Sequence, residues 1–307
     1  MLQAVVNPAG ASGRTLEIWK EAEAFLRRSH AAYEVHFSSP EHGIEEIVRE
    51  LTSSGEETNL LIAGGDGTMN QAVNGITDFE KVRLGFIPCG SGNDLALSLG
   101  IPKDWKENLE TVLQGKVHRT LDVGEAEIHT ADGRILHRKF NISSGLGFDA
   151  AICQEVEVSS MKPMLNKIGL GKLVYIAVAL HLIFATEKTA ARLITDGREK
   201  KMNLLFAVAM NQKYEGGGFK FAPDADGTDG QLDICAADDL SQWDFFRIFP
   251  YAYSGKHVRF KGVSIHRTAD CELITEEAKW VHTDGEPVCE SAHIRWTSGR
   301  YHLQLLQ

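Results

Sequence analysis

Short apolar runs alternate with helical patterns through the first 120 residues. The runs over 2–7, 33–37, 59–63 and 83–88 are expected to be strands, and helices are expected near 14–29, 43–54, 69–75, 93–99 and 105–114. Alternation of this kind implies right-handed crossovers and a parallel sheet covered on both faces. From about Arg119 the pattern changes. Segments over 121–128, 135–142, 190–195, 203–210, 232–236, 258–266, 271–275 and 293–306 are short, β-branched and bounded by turn residues. They predict a mostly antiparallel second half, interrupted by helices over 165–186 and 242–254. No internal repeat, low-complexity stretch or heptad run is present.

The longest apolar run, 173–186, would reach about 21 Å as a helix, short of the ~30 Å hydrocarbon core of a bilayer. It is expected to be a helix buried against a sheet, a role compatible with lining a pocket for acyl chains. The opening residues meet Pro8 after few apolar positions and lack a basic segment, so they are expected to form a first strand and not a signal peptide.

With 307 residues and 43% hydrophobic content, the chain has material for two globular cores. Its 42 acidic against 32 basic residues, a formal charge of −10, argue against the basic field that a nucleic-acid partner requires. Five cysteines at 89, 153, 235, 271 and 289 are odd in number and form no C-x-x-C pair. That argues against a disulfide framework and a zinc site and fits a reducing cytoplasm. The 12 histidines include no H-E-x-x-H or H-x-H pattern.

Chemistry concentrates first in Leu60-Leu-Ile-Ala-Gly-Gly-Asp-Gly-Thr68, extended by Met69 and Asn70. An apolar strand ending in Gly64, Gly65, Asp66, Gly67 and Thr68 has the makings of a phosphate turn. Glycines let the backbone approach a ligand, and N–H groups opening the next helix point at anions. Asp66 is unusual there, since a carboxylate ~4 Å from a phosphate is repelled by roughly 4 kcal/mol at an effective dielectric near 20. It implies a bridging Mg²⁺ or a proton to be removed. The alternative is an ordinary left-handed turn closing a strand. A second turn, Pro88-Cys-Gly-Ser-Gly-Asn-Asp94, repeats the design with Gly90, Ser91, Gly92, Asn93 and Asp94. Asn93 and Asp94 also suit plain helix capping. If both turns close parallel strands, they lie together where open α/β sheets bind ligands.

Further segments complete a series: Val5-Val-Asn-Pro-Ala-Gly-Ala-Ser-Gly-Arg14 before the two turns, then Leu121-Asp-Val-Gly124, Phe140-Asn-Ile-Ser-Ser-Gly-Leu-Gly147, the stretch from Gly216 to Gly230, and Asp284-Gly-Glu286. In this order they resemble the diacylglycerol kinase catalytic-domain family, in particular its soluble bacterial lipid kinases. The resemblance covers nearly the whole chain.

It implies an α/β + β fold: a doubly wound parallel α/β nucleotide-binding domain over 1–120, then a mainly antiparallel β-sandwich domain for the lipid over 121–295. The tail from about 296 to 307 returns to the first domain, and the active site lies in the interdomain cleft. The implied activity is ATP- and Mg²⁺-dependent phosphorylation of a lipid hydroxyl, on diacylglycerol or a related glycerolipid such as phosphatidylglycerol. Asn7, Ser38, Gly64 to Asn70, Gly90, Ser91 and Asn93 would meet the nucleotide, and Arg14 is placed to reach a phosphate. Asp66 and Asp94 would organise Mg²⁺. Glu286 would be the general base, presented with Asp284 by a turn that is equally a common hairpin device. The loop 224–231 fails the EF-hand spacing. By resemblance it would hold a structural Mg²⁺ through Asp229 and the carbonyls of Asp226 and Gln231; the alternative is an Asx-rich turn with no ion.

A peripheral contact with the cytoplasmic face of the membrane follows from a lipid substrate, and an exposed strand edge would support a homodimer. NAD kinases and phosphofructokinases share the glycine turns more distantly. An NAD kinase-like phosphotransferase and a non-catalytic nucleotide- or lipid-binding protein therefore stand as alternatives.

Overall fold

A computed structural model describes residues 1–158 and 171–307. They form two units, Met1–Leu121 with Tyr301–Gln307, and Asp122–Arg300.

The first unit is the parallel α/β structure expected. Strands β1 (Leu2–Val6), β2 (Tyr33–Phe37), β3 (Thr58–Gly64) and β4 (Val82–Pro88) pair in the order β4-β3-β1-β2, all parallel. Leu2, Ala4, Val6, Leu61, Ala63 and Ile87 share one core with Trp19, Ala22 and Leu26 of α1 (Arg14–Arg28) and Leu109 and Val112 of α5 (Trp105–Val112). The alternate residues Val5, Leu60, Ile62 and Phe86 are equally buried, and α2 (Ile44–Thr52) and α3 (Asp66–Gly75) cover that other face. Burial on both faces is why these strands are apolar without alternation. The end of β13 (Glu286–Leu305) adds a parallel strand beside β4, with Gln304 opposite Arg83. Beyond it, the Gln307 amide accepts from the Phe86 N–H at 3.0 Å and donates to the Phe86 carbonyl at 2.7 Å, extending the ladder with a side chain.

Helix α3 starts at Asp66, three residues before the expected 69, because extended Gly65 serves as its N-cap and the glycine-rich turn is already helical. Helix α4 (Asp94–Leu99) follows the second turn.

In the second unit neighbouring strands pair antiparallel. Its strands are β5 (Arg119–Thr130), β6 (Ile135–Phe140), β7 (Ser143–Gly147), β8 (Thr189–Thr195), β9 (Arg198–Met210), β10 (Leu232–Asp238), β11 (Val263–Thr268) and β12 (Asp270–Thr283), with β13. Strands β7 and β8 lie end to end between β9 and β12. Both long strands pair with β8 over one stretch and with β7 over the other. One face builds a core from Leu232, Ile234 and Ala236 with Leu273, Ile294 and Trp296. The alternate residues Cys235 and Ala237 join Phe148, Ile183, Phe245 and Phe249 in a second core beneath α6 (Phe148–Val158), α7 (Gly171–Ala185) and α8 (Gln242–Ala252).

One expectation needs adjusting, two elements carried none, and one helix lies partly outside the described residues. The segment expected as a strand over 258–266 begins as a 3₁₀ turn (Lys256–Arg259) and reaches β11 only at Val263. Strand β7 and helix α6 carried no clear pattern, β7 because Ser-Ser-Gly-Leu-Gly has one large apolar side chain. Of the helix expected over 165–186, residues 165–170 lie outside the described residues.

Candidate functional site

In the first unit the expected nucleotide residues gather at the carboxyl ends of adjacent strands. Asn7 follows β1, Ser38 follows β2, Gly64 ends β3, and Gly90 to Asn93 follow β4. Backbone bonds stitch these ends together: Ser38 N–H to Val6 at 3.0 Å, Asn7 N–H to Ala63 at 3.2 Å, and Cys89 N–H to Gly64 at 2.7 Å. The Asn7 amide donates to Thr68 Oγ1 at 3.2 Å. Burial pushes the Cys89 thiol up to about 11, so it is a neutral packing group.

The two glycine turns touch. A Cβ on Gly65 would lie 3.3 Å from the Gly90 Cα, and one on Gly90 would lie 3.0 Å from the Gly65 Cα. Only residues without side chains permit that approach. Asp66 locks the contact: its carboxylate accepts the N–H of Asp94 at 2.9 Å and of Leu95 at 3.3 Å. One acid thus opens α3 and caps α4, compensating both helix N-termini. Met69 N–H makes the first α3 bond, to the Gly65 carbonyl at 3.1 Å, so the N–H groups of Gly67 and Thr68 precede the intrahelical ladder and stand at its positive end. Met69 and Asn70 are buried one turn in. Asn93 adopts the left-handed conformation (φ 53°) and donates to the Gly90 carbonyl at 2.8 Å. Its buried Oδ1 has no hydrogen-bond partner among the described residues. Ser91 is exposed at the turn's tip.

In the second unit, Asp284 and Gly285 both have positive φ (51° and 82°) and form a two-residue hairpin turn in which Thr283 pairs with Glu286. The Asp284 carboxylate is buried and accepts the N–H groups of Asn141 (2.9 Å), Ile142 (2.7 Å) and Ser143 (3.1 Å). Its acceptor capacity goes to holding the start of β7. Glu286, two residues on, is half-buried.

Beneath this turn is a cluster that the sequence reading did not single out. His282 is fully buried, with Nε2 3.0 Å from Asp149 Oδ2 and 3.2 Å from Glu215 Oε1. A Cβ on Gly145 would collide with Asp149 and His282. The three residues form a grouping whose ligand atoms lie within 4.8 Å of one another, close enough for a cation; a proton on the ring achieves part of the same neutralisation. Burial lowers the proton affinity of His282, but Glu215 and then Asp149 outweigh it and raise the ring to about 9. The Gly285 N–H, 3.1 Å from Nδ1, is a hydrogen bond only while that nitrogen keeps its lone pair, so it opposes the second proton. Two carboxylates against one peptide dipole leave the direction upward.

A second network, built from segments that carry the resemblance but were given no individual role there, joins the 224–231 loop to the hairpin turn. Asp122 accepts the Gly230 N–H at 2.6 Å, and the Asn211 amide bridges the carbonyls of Asp122 and Asn141, each at 2.8 Å. Asp122, Asn141 and Gly230 lie in segments that carry the resemblance, 121–124, 140–147 and 216–230, and Asp122 and Asn141 are buried polar positions among apolar ones. In the loop itself, Asp226 caps Thr228, and Asp229 accepts the Gln231 N–H and pairs with the Arg267 guanidinium. The Arg267 guanidinium thus stands beside the carboxylate that the resemblance assigns to a metal.

Comparison with known proteins adds to this geometry. Residues 1–126 match the family model of the diacylglycerol kinase catalytic domain, and residues 142–296 match that of the YegS C-terminal NAD kinase beta sandwich-like domain. A diacylglycerol kinase of Bacillus subtilis is 27% identical over 287 residues, covering 92% of this chain and 88% of the relative. A crystal structure of a diacylglycerol kinase from Bacillus anthracis superposes with a TM-score of 0.66 at 20% identity, covering 99% and 96% of the two chains. Yeast NADH kinase, solved with NADH, shares the fold at a TM-score of 0.57 and 11% identity, covering 99% and 82%.

Proposed function

We propose that this chain, which belongs to the diacylglycerol kinase catalytic-domain family, is a lipid kinase that transfers the terminal phosphoryl group of ATP to the hydroxyl of diacylglycerol or a related glycerolipid such as phosphatidylglycerol. The observation that carries this reading is the pair of glycine turns in van der Waals contact and joined through Asp66. A turn that merely closed a strand would not need a second, equally bare turn against it.

The N–H groups of Gly65, Gly67 and Thr68 bind phosphate oxygens at the positive end of α3. Thr68, held by Asn7, and the hydroxyls of Ser38 and Ser91 add side-chain donors. Asn93 offers a buried acceptor, suited to a hydroxyl or to metal-bound water more than to a phosphate oxygen. Asp66 and Asp94 fit Mg²⁺: each has a carboxylate oxygen 3.5 Å from a Cβ placed on Gly92, so hard oxygen donors flank a gap with no side chain. When bound, Mg²⁺ neutralises phosphate charge.

Glu286 accepts the proton of the lipid hydroxyl as its oxygen bonds to phosphorus and ADP leaves. Asp284 and His282 are positioning residues that hold the turn from which Glu286 projects. Lipid is met at a membrane surface; no helix among the described residues is long and apolar enough to cross one.

Purified protein incubated with Mg²⁺, γ-labelled ATP and separate acceptors (diacylglycerol, phosphatidylglycerol, sphingosine, undecaprenol and NAD) tests the reading. Label is expected in a glycerolipid phosphate. Label in NADP with none in lipid would replace it with the NAD kinase alternative.

A further inference from the structure

Helix α8 is apolar on two opposite faces, and only one of them is covered. Phe245, Ile248, Phe249 and Ala252 are buried in the helix-covered core of the second unit. At about 100° per residue, Trp243, Phe246 and Tyr251 fall on the other side. There they are 65%, 40% and 47% exposed. Large aromatic side chains grouped on an exposed face mark contact with another apolar phase.

The outward aromatics are an organised patch. Phe184, at the end of α7, has its ring centroid 5.2 Å from that of Trp243 and 5.8 Å from that of Phe246. The Gln242 amide donates to the Phe184 carbonyl at 2.9 Å, tying the two helices at that point. Tyr251 carries the patch on to Phe260 at 5.1 Å, beyond the 3₁₀ turn.

Charge identifies what covers this face. Residues 242–262 contain Arg247, Lys256, Arg259 and Lys261 against a single acid, Asp244, in a chain whose net charge is −10. All four basic residues are exposed. Arg247 projects between Trp243 and Tyr251 on the outer face, and Arg259 and Lys261 flank Phe260. Trp243, Phe246 and Tyr251 on the helix with Arg247 among them, and Phe260 with Lys256, Arg259 and Lys261 in and after the turn that follows, match the boundary between headgroups and acyl chains, with the cations directed at anionic lipid.

We infer that the outer face of α8, with the end of α7 and the 3₁₀ turn after α8, docks on an anionic phospholipid bilayer. This deepens the lipid-kinase reading, which it rests on for the reason a bilayer is met; the binding itself needs no catalysis. Aromatic rings enter the headgroup boundary and the basic residues contact phosphate.

Co-sedimentation of the full chain, without ATP, tests this with phosphatidylcholine vesicles that contain phosphatidylglycerol, against phosphatidylcholine alone. Wild type is expected to bind the anionic vesicles preferentially. Arg247→Gln with Lys256→Gln should weaken that binding about thirtyfold, and Trp243→Ala with Phe246→Ala at least tenfold. Both pairs are exposed, and unchanged thermal melts would confirm that the variants remain folded. Turnover of a short-chain diacylglycerol dissolved as monomers should stay unchanged in these variants; absence of that turnover in wild type would count against the kinase reading and not against docking. Equal binding of wild type to both vesicle types, or wild-type binding by the variants, overturns the inference. So does conversion of a dimer to a monomer by Trp243→Ala with Phe246→Ala, which would make this face a contact between copies.

Discussion

The carboxylate of Asp66 accepts the backbone N–H of Asp94 across 2.9 Å. An acid that opens one helix therefore caps the next, and two turns remote in the chain are held as one body. Asp66→Ala removes both bonds to α4 and should cost about 1–2 kcal/mol. The variant should still fold but lose phosphoryl transfer. Urea unfolding beside the label-transfer assay measures both, and full activity in a folded variant would contradict the role given to this residue.

Gly90→Ala tests the contact between the turns directly. The new methyl would meet the Gly65 Cα at 3.0 Å and Asn93 Oδ1 at 2.8 Å, distances at which backbone must move. Because the site is a surface turn, stability should fall by roughly 1–2 kcal/mol, while the KM for ATP rises by about tenfold or more. An unchanged KM would mean that the two turns need not touch to bind nucleotide.

Glu286→Gln and Asp284→Ala should separate chemistry from architecture. Glu286 is half-buried in a strand, so the isosteric amide should leave stability within about 0.5 kcal/mol while abolishing turnover. Asp284→Ala strands three buried N–H groups and should cost about 3 kcal/mol or more. Comparable stability losses in the two variants would refute this division.

The His282 trio makes stability depend on pH. Its ring is raised from 6.5 to about 9, so the pairing with Glu215 and Asp149 contributes fully below about pH 6.5 and is lost as pH rises through about 9. The change is up to about 3 kcal/mol. Urea midpoints across that interval should fall for wild type and lose this slope in His282→Gln. A wild-type profile that rises toward pH 9 would reverse the assigned direction.

The Gln307 amide pairs with both backbone groups of Phe86, so Gln307→Ala should lower stability by about 1–2 kcal/mol without changing turnover. Thermal melts and kinetics together check it; a selective loss of turnover would contradict a purely structural role.

Most of the first unit could be read from local pattern. Its strands are buried on both faces and therefore continuous in hydrophobicity, and its turns need Gly, Asn and Asp for conformational reasons that operate within a few residues. The antiparallel character of the second half was legible for a similar reason, from short β-branched runs between turn residues. Tertiary structure alone decided what those residues bind. Asp66 could not be seen as the cap of another helix, nor Asp284 as the clamp on Asn141, Ile142 and Ser143, because their partners are remote in the chain and a carboxylate's sequence neighbours do not indicate which amides it will meet. The same holds for β7, whose glycines carry no strand signal until β9 and β12 flank it, and for His282, whose proton affinity is set by two acids brought beside it only by the fold. Local sequence chose the elements and their turns; long-range packing chose the partners, and with them the roles.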